Sequence, residues 1–475
     1  MKVNNQVKIE HLFQRAGLGA TPAQMKEFGE KSPEKALKFL LTDSEKINQL
    51  VIIDEEIAMV MKKKTLRNML DRKSLPAEEI KEQIKEYREQ LTDLNFSWVK
   101  NMASGESMLR EKMTLFWHGH FACRLRQPLL VQVQNNVIRE NALGKFSDLL
   151  LAISKDPGML QFLNNQQNKR DSPNENFARE VMELFTLGRG NYTEKDIKEA
   201  ARAFTGWGAN PKGEFVFRTN QHDDGEKTFQ SKTGNLKGED ILNIILQNPK
   251  TSTFICTKIY RYFVNEIVDY QIIEQMTKRF RSTDYDIKDL MEYIFKSDWF
   301  YKQENIGTRI KSPVELLVGL QRNFGIQFER KQPVLFIQKS LGQILFYPPN
   351  VAGWSGGKNW IDSSTLMTRM KLPELIFKDS EITFNPKDEG DVNTENLSKK
   401  IKQMQANIDW SAFQNNFPTQ DPQELLNKLD AYLLSRPLSA QQKSIILGKS
   451  EGKTSLSLLQ NIAQSIASLP EYQLG

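Results

Sequence analysis

Histidine and cysteine are scarce in this chain of 475 residues, which contains four histidines and two cysteines. Cys123 and Cys256 are too few for a disulfide framework, and their apolar helical surroundings predict buried, reduced thiols. Neither a Cys-x-x-Cys pair nor a His-Glu-x-x-His motif occurs, which excludes the common zinc motifs. No Gly-x4-Gly-Lys-Ser/Thr phosphate loop occurs either.

Long apolar runs and a strong charge of one sign are absent as well. No run of 18 apolar residues occurs, so we predict no membrane span. The 65 basic and 59 acidic residues give a net charge of +6, and no basic block is interleaved with aromatics, so we predict no nucleic-acid partner. The opening residues, MKVNNQVKIEHLF, lack the apolar core of a signal peptide. We therefore expect a cytoplasmic protein, or one exported with a signal-bearing partner.

Helix signals dominate what the chain does contain. The predicted fold class is mainly α, a large multi-helix globular domain with one short β-hairpin. Phe215 and Phe217 alternate within residues 213–220 in the manner of a strand, and residues 227–230 are the predicted partner strand.

Composition suggests five segments along the chain. Residues 44–104 carry many charges and few apolar positions, which predicts a projecting pair of helices whose residues 62–89 are dispensable for folding. Residues 380–396 are polar and acidic, typical of a linker or surface loop. The predicted segments are an N-terminal arm with helices (1–43), a charged helical hairpin (44–104), a helical core (105–379), a polar linker (380–396) and a C-terminal helical segment (397–475).

Two further helices are punctuated within residues 172–207. Ser172 and Glu175 have the spacing of a capping box around Pro173, and Leu187-Gly188 reads as a stop. Thr193 and Asp196 form a second predicted box.

Two histidines near the end of an apolar helix form the first candidate site. Glu111 and His118 are seven residues apart and share a helical face, whereas His120 lies 200° from His118 unless the helix ends near Gly119. One interpretation is a partly buried pair acting with Glu111 as metal ligands, or as a general base with its orienting carboxylate. The other is a helix end with one packed and one exposed histidine.

A charged helical face provides further candidates. Arg179 could contact substrate, Glu180 could be catalytic, and Glu183 could complete a divalent metal site with Glu111, His118 and His120. The alternative is a solvated face, in which Glu175–Arg179 and Arg179–Glu183 are ordinary i, i+4 ion pairs.

The loop at residues 222–228 also concentrates polar groups. His222 beside Asp223 could act as a catalytic pair in which the carboxylate fixes the imidazole tautomer, and Lys227 could meet an anion. The alternative is a tight Asp-Gly turn with solvated charges.

Residues 348–360 form a loop rich in proline, glycine and tryptophan. Its Gly353-x-Ser355-x-Gly357 letters match a nucleophile elbow but lack the preceding strand and following helix, so Ser355 is not predicted to be a nucleophile. Asn350 and Trp354 are candidate substrate contacts, although Trp354 could equally cover the core.

These segments together resemble a bacterial family catalogued as domain of unknown function 1800. The resemblance runs from about His11 to about Gln473. It rests on Pro-Asn-Glu-Asn-Phe-Ala-Arg-Glu at 173–180, Gly-Trp at 206–207, His-Asp-x-Gly-x-Lys-Thr at 222–228, and the 348–360 loop. It implies a mainly helical protein in which these landmarks converge. It also suggests a partner, since such proteins are often encoded beside an exported protein of the domain of unknown function 1501 family, which looks like alkaline phosphatases and sulfatases.

Two functions are therefore predicted. The first is a metal-binding or acid/base enzyme, hydrolase- or transferase-like, that acts on a polar or anionic substrate. The second is a non-catalytic helical partner or scaffold for an exported phosphatase- or sulfatase-like protein.

Overall fold

The computed structural model describes residues 4–54, 56–59, 76–210, 212–380, 403–450 and 455–475. Within them the protein is mainly helical, which confirms the predicted fold class. The helices are α1 (Asn5–Ala16), α2 (Pro22–Phe28), α3 (Pro33–Asp43), α4 (Ala77–Ser104), α5 (Met108–His120), α6 (Pro128–Asn141), α7 (Phe146–Ser154), α8 (Pro157–Phe162), α9 (Asn176–Glu180), α10 (Glu194–Ala203), α11 (Gly238–Gln247), α12 (Pro249–Phe263), α13 (Tyr270–Ser282), α14 (Ile287–Lys296), α15 (Pro313–Phe324), α16 (Lys331–Ser340), α17 (Ser363–Phe377), α18 (Trp410–Gln414), α19 (Pro422–Leu433), α20 (Ala440–Gly448) and α21 (Ser455–Ala467). A π-helical turn, Val181–Thr186, continues α9, and short 3-10 turns lie at Asn165–Gln167, Thr219–Gln221, Asp298–Tyr301, Gly357–Trp360 and Pro470–Gln473.

The strands of the described residues form short antiparallel pairs. The strands are β1 (Trp207–Ala209), β2 (Phe215–Phe217), β3 (Lys227–Phe229), β4 (Lys232–Gly234), β5 (Gln327–Phe328) and β6 (Ala406–Asn407), paired β1–β2, β3–β4 and β5–β6. The predicted strand at Phe215–Phe217 is confirmed, but its predicted pairing with residues 227–230 is wrong. Gln230 and Ser231 both have positive φ, the geometry of a two-residue hairpin turn, so β3 folds back onto β4.

Capping chemistry explains where several helices begin. Thr193 and Asp196 form the predicted reciprocal box at the start of α10. The predicted box at Ser172 and Glu175 is wrong, because α9 begins at Asn176 without a side-chain cap. Ser172 instead pairs with Lys169 in an isolated bridge that closes a turn at Arg170 and Asp171.

A single connected set of buried apolar residues extends from Ile9 to Tyr472. The C-terminal segment joins it directly, since the Tyr472 hydroxyl donates to Asn323 Oδ1 at 2.7 Å and Ser435 bonds Glu10. The predicted linker at 380–396 lies outside the described residues except for residue 380. No helix among the described residues is both long and apolar enough to cross a membrane.

The two halves of α4 have different surroundings. Residues 77–90 are mostly exposed, whereas Leu91, Leu94, Trp98, Val99 and Met102 are buried. The second half of the predicted charged hairpin therefore packs into the core. Residue 55 and residues 60–75, about half of its first part, lie outside the described residues.

Candidate functional site

The two histidines of α5 face different surroundings. The helix runs through Gly119 and ends at His120, so both rings project from continuous helix. His118 accepts a hydrogen bond from the Phe346 backbone N–H at 3.2 Å and contacts the rings of Trp98 and Trp354. Burial, followed by the nearby positive charge of Arg139, lowers the pKa of His118 to about 3. His118 is therefore a neutral, packed imidazole.

Glu111 belongs to a buried ion pair. Arg139 Nε donates to its Oε1 at 2.6 Å, Arg139 Nη2 donates to Oε2 at 3.2 Å, and Trp98 Nε1 donates to Oε2 at 2.7 Å. Both carboxylate oxygens are thus occupied, which leaves Glu111 unsuited as a ligand beside His118. No group of three or more His, Cys, Asp or Glu within the described ranges could hold a metal ion. The predicted set of Glu111, His118, His120 and Glu183 is not assembled.

The charged side chains Arg179 and Glu183 of the predicted helical face are paired with residues before and after α9. Arg179 makes the predicted pair with Glu175 at 3.2 Å and a two-pronged pair with Glu194, both prongs at 3.0 Å. The expected Arg179–Glu183 pair is absent, because the π-helical turn changes the register after Glu180. Glu183 instead accepts from Arg189 at 2.5 Å and from the Tyr192 hydroxyl at 2.6 Å.

Glu180 and the rest of this face do not join the histidines of α5. Burial, with the neighbouring charge of Glu183, raises the pKa of Glu180. The backbone behind the face does reach His120, since Phe185 O lies 3.0 Å from His120 Nε2. The π-helical turn therefore contributes carbonyl groups to the site, and its carboxylates lie elsewhere.

The 222–228 loop is held together by its own polar groups. Asp223 accepts two hydrogen bonds from Arg202, at 2.7 and 3.2 Å, and Arg202 is the first cause of the lowered pKa of Asp223. Lys227 is buried and donates to the carbonyls of Asp223 at 2.5 Å and Gly225 at 2.9 Å. His222 Nδ1 lies 2.9 Å from Thr205 O. These contacts build the turn, and they engage two of the three Lys227 donors with carbonyls of the loop itself.

The 348–360 loop docks against the end of α5. Gly353 has a φ of 77°, and a Cβ there would overlap the carbonyl oxygen of Gly119, so only glycine allows this approach. Asn350 is exposed and holds the turn through its Oδ1, which accepts from Ala352 N at 2.9 Å. Ser355 precedes the 3-10 turn Gly357–Trp360, which differs from the strand-turn-helix of a nucleophile elbow.

A pocket of about 580 Å³ lies between this loop and α12. Its aromatic walls include Phe116, Tyr262, Trp354 and Trp360. Its cationic side chains are Lys258, Arg261, Arg309 and Lys358, against a single carboxylate, Glu266, among the described lining residues. Of the predicted site residues, the structure brings only His120 and Trp354 to this pocket.

Lys258 and His120 form a hydrogen-bonded pair in the pocket. Lys258 Nζ lies 3.1 Å from His120 Nδ1 and 3.1 Å from Leu184 O. An ammonium has only donors, so His120 Nδ1 accepts and His120 Nε2–H donates to Phe185 O. Burial lowers the pKa of Lys258 to about 8, and burial followed by the charge of Lys258 lowers the pKa of His120 well below its usual value. His120 is neutral and orients the lysine.

Arg309 connects the pocket to a buried charged cluster. It donates to Glu315 Oε1 at 2.6 Å and Oε2 at 2.9 Å, and Glu315 also binds Lys112. Burial alone would raise the pKa of Glu315, but Arg309 and Lys112 hold it well below its usual range. The buried cations of this cluster outnumber its buried carboxylates; they are Arg15, Lys112, Arg309, Lys311 and Arg369, against Glu10 and Glu315.

Charge compensation in that cluster is incomplete. Nε and Nη1 of Arg15 and Nε and Nη2 of Arg369 are buried without hydrogen-bond partners among the described residues. Burial also raises the pKa of Glu10, which opposes its ionisation. Buried cations without partners are costly, so the cluster favours an anion in the adjoining pocket.

Sequence reasoning missed Lys258 as a site residue, although a signal was present. Lys258, Arg261 and Tyr262 have i, i+3, i+4 spacing and therefore share one face of α12. A lysine that lies between the apolar residues Cys256 and Ile259 is unusual, and this position could have indicated a site residue. Arg309 carried no comparable local signal, because its partner Glu315 belongs to the next helix.

The comparisons with known proteins identify a family. No curated protein and no solved structure matches the chain. A family model described as "Protein of unknown function (DUF1800)" matches residues 11–474, and thus nearly the whole chain. The chain therefore belongs to the DUF1800 family of proteins of unknown function.

Proposed function

We propose that the pocket beside α12 binds a small anionic molecule and exchanges a proton with it through Lys258. The observation that carries the proposal is the lining, in which Lys258, Arg261, Arg309 and Lys358 face one carboxylate, Glu266. A concave site with aromatic walls and a few convergent polar groups is the usual form of a small-molecule site. Its cationic character favours phosphate- or carboxylate-bearing ligands.

Lys258 is the group best placed for proton transfer. Two of its three donors bond Leu184 O and His120 Nδ1, which leaves the third for a ligand in the pocket. A pKa of about 8 lies close to the operating range of a general acid or base. His120 is a positioning residue in this scheme, because it fixes the ammonium without facing the ligand as a donor.

The remaining predicted groups have different parts in this proposal. Trp354 stays a substrate contact, since it lines the pocket and rests on His118. The other predicted site residues do not line the pocket and are not assigned to the reaction. No metal is assigned to the pocket, because the described residues assemble no donor set for one. The site would serve the hydrolytic or transfer chemistry predicted from the sequence.

Calorimetric titration with inorganic phosphate and with citrate, at constant ionic strength set with chloride, tests the binding. We expect saturable binding to the wild-type chain. Lys258→Met and Arg261→Ala should each weaken it at least ~10-fold, about 1.4 kcal/mol. The matched control is Lys371→Met, which removes an exposed lysine of α17 outside the pocket.

Absence of saturable binding to the wild type would contradict the proposal, as would equal affinities of wild type and Lys258→Met. Either result would favour the other predicted function, a non-catalytic companion of an exported phosphatase- or sulfatase-like protein.

A further inference from the structure

A second pocket, of about 440 Å³, lies beyond the end of α5 on the side of α4. Tyr87 and Arg88 of α4, Arg124 and Arg126 of the loop after α5, and Tyr347 line it. Phe162 at the end of α8 adds a further aromatic ring. The pocket therefore combines guanidinium groups with planar apolar surfaces.

The arginines of this pocket have no anionic partner in the described part of the chain. No carboxylate is among the described lining residues. Other arginines of the protein are held in two-pronged pairs, such as Arg139 with Glu111 and Arg202 with Asp223. By contrast, the described hydrogen bonds and ion pairs include none from the side chains of Arg88, Arg124 or Arg126.

Tyr347 shows that two of the guanidinium groups converge. The Arg124 guanidinium carbon lies 6.0 Å from the centre of the Tyr347 ring. Burial raises the pKa of Tyr347, and the positive charges of Arg124 and Arg88 act in the opposite direction. Both charges therefore lie near the Tyr347 hydroxyl. Like charges that converge without a carboxylate give a positive potential that attracts an anion.

We propose that this pocket is a second binding site, independent of the Lys258 pocket, for a small ligand that joins phosphate to a planar ring. Guanidinium groups bind phosphate oxygens through parallel hydrogen bonds, a geometry that lysine cannot supply. Tyr87, Tyr347 and Phe162 provide faces on which a ring can stack. A nucleoside diphosphate has both features and is the probe of choice.

Titration of the full chain with ADP, pyrophosphate and adenosine at constant ionic strength tests the proposal. ADP should bind tightest, pyrophosphate more weakly, and adenosine weakest. Arg88→Ala and Arg124→Ala should each weaken ADP binding at least ~10-fold. Tyr347→Leu should weaken ADP more than pyrophosphate, because only ADP offers a ring. The matched control, Arg281→Ala, removes an exposed arginine of α13 and should leave binding unchanged.

Three outcomes would overturn the proposal. The first is no saturable binding of ADP or pyrophosphate by the wild type. The second is wild-type affinity in both Arg88→Ala and Arg124→Ala. The third is loss of ADP binding in Lys258→Met with full binding in the arginine variants, which would place the anion in the first pocket. Arg88 is exposed, so its variant remains informative if Arg124→Ala fails to fold.

Discussion

Two charged regions of this protein differ in how their charges are satisfied. Between residues 172 and 228, Arg179, Arg202 and Lys227 all bond neighbouring carboxylates or carbonyls. In the pocket beside α12, Lys258 bonds only neutral acceptors, and the cations outnumber the single carboxylate. Both regions contain several charged residues. Charge density therefore does not identify a binding site, whereas an excess of cations over carboxylates around a pocket does.

The largest expected effect comes from breaking the buried cluster that adjoins the pocket. Glu315→Gln would leave Arg309 and Lys112 buried without their counter-charge, which should lower the free energy of unfolding by about 3–5 kcal/mol. Urea unfolding followed by circular dichroism measures it.

The matched control is Glu194→Gln, which removes an exposed partner of Arg179. We expect a far smaller loss there, because exposed ion pairs contribute little. Similar losses in the two variants would show that the buried cluster does not depend on Glu315.

A pair of lysine variants should separate structure from binding. Lys227→Met removes two hydrogen bonds to carbonyls of the 222–228 loop and should cost about 1–3 kcal/mol of stability without changing phosphate or citrate affinity. Lys258→Met should lose that affinity, because it removes the ammonium that lines the pocket. Thermal melts and calorimetry on the same samples measure both quantities. If Lys227→Met lost anion affinity while its fold was unchanged, anion binding would no longer distinguish residues 172–228 from the pocket beside α12.

A smaller effect is expected from His118, on how the free energy of unfolding depends on pH. Its folded pKa of about 3 lies below the usual 6.5, so between these values the unfolded chain binds a proton that the folded chain does not. The contribution of neutral His118 to the free energy of unfolding is complete above about pH 6.5. It is lost as the pH falls, at ~1.4 kcal/mol per pH unit.

His118→Gln keeps an acceptor for the Phe346 N–H. Between about pH 6 and pH 4, the slope of its free energy of unfolding against pH should be smaller than that of the wild type by the equivalent of one proton. Asp156, whose pKa burial raises to about 6, acts in the opposite direction but is common to both chains. Urea unfolding of the two chains across this range gives the difference. Parallel pH profiles would mean that His118 is protonated in the folded protein.

Local signals predicted the fold better than they predicted the site. The Thr193 box, the stop at Gly188 and the helical character depend on neighbouring residues, and the structure confirms them. The pairing of β2 failed because two strands of three residues each carry no information about their partner. The predicted start of α9 was wrong because Ser172 forms a bridge that a capping pattern does not reveal.

Most of the site could not be predicted from the sequence, because it depends on contacts that sequence spacing does not encode. His120 and Trp354 were predicted and reach the pocket, but Lys258 meets His120 across 138 residues. Glu111 was assigned to His118 from helical spacing, and Arg139 binds it instead. Spacing places residues on one helix face but does not specify what the neighbouring helices present to that face.

The most direct test of the central claim is the reactivity of Lys258 itself. Acylation by an amine-reactive ester, followed residue by residue with mass spectrometry against pH, should give Lys258 a midpoint near 8. Phosphate or citrate should slow that reaction and leave the exposed Lys371 unaffected. A midpoint near the ordinary lysine value of about 10.4, with no protection by either anion, would contradict the account.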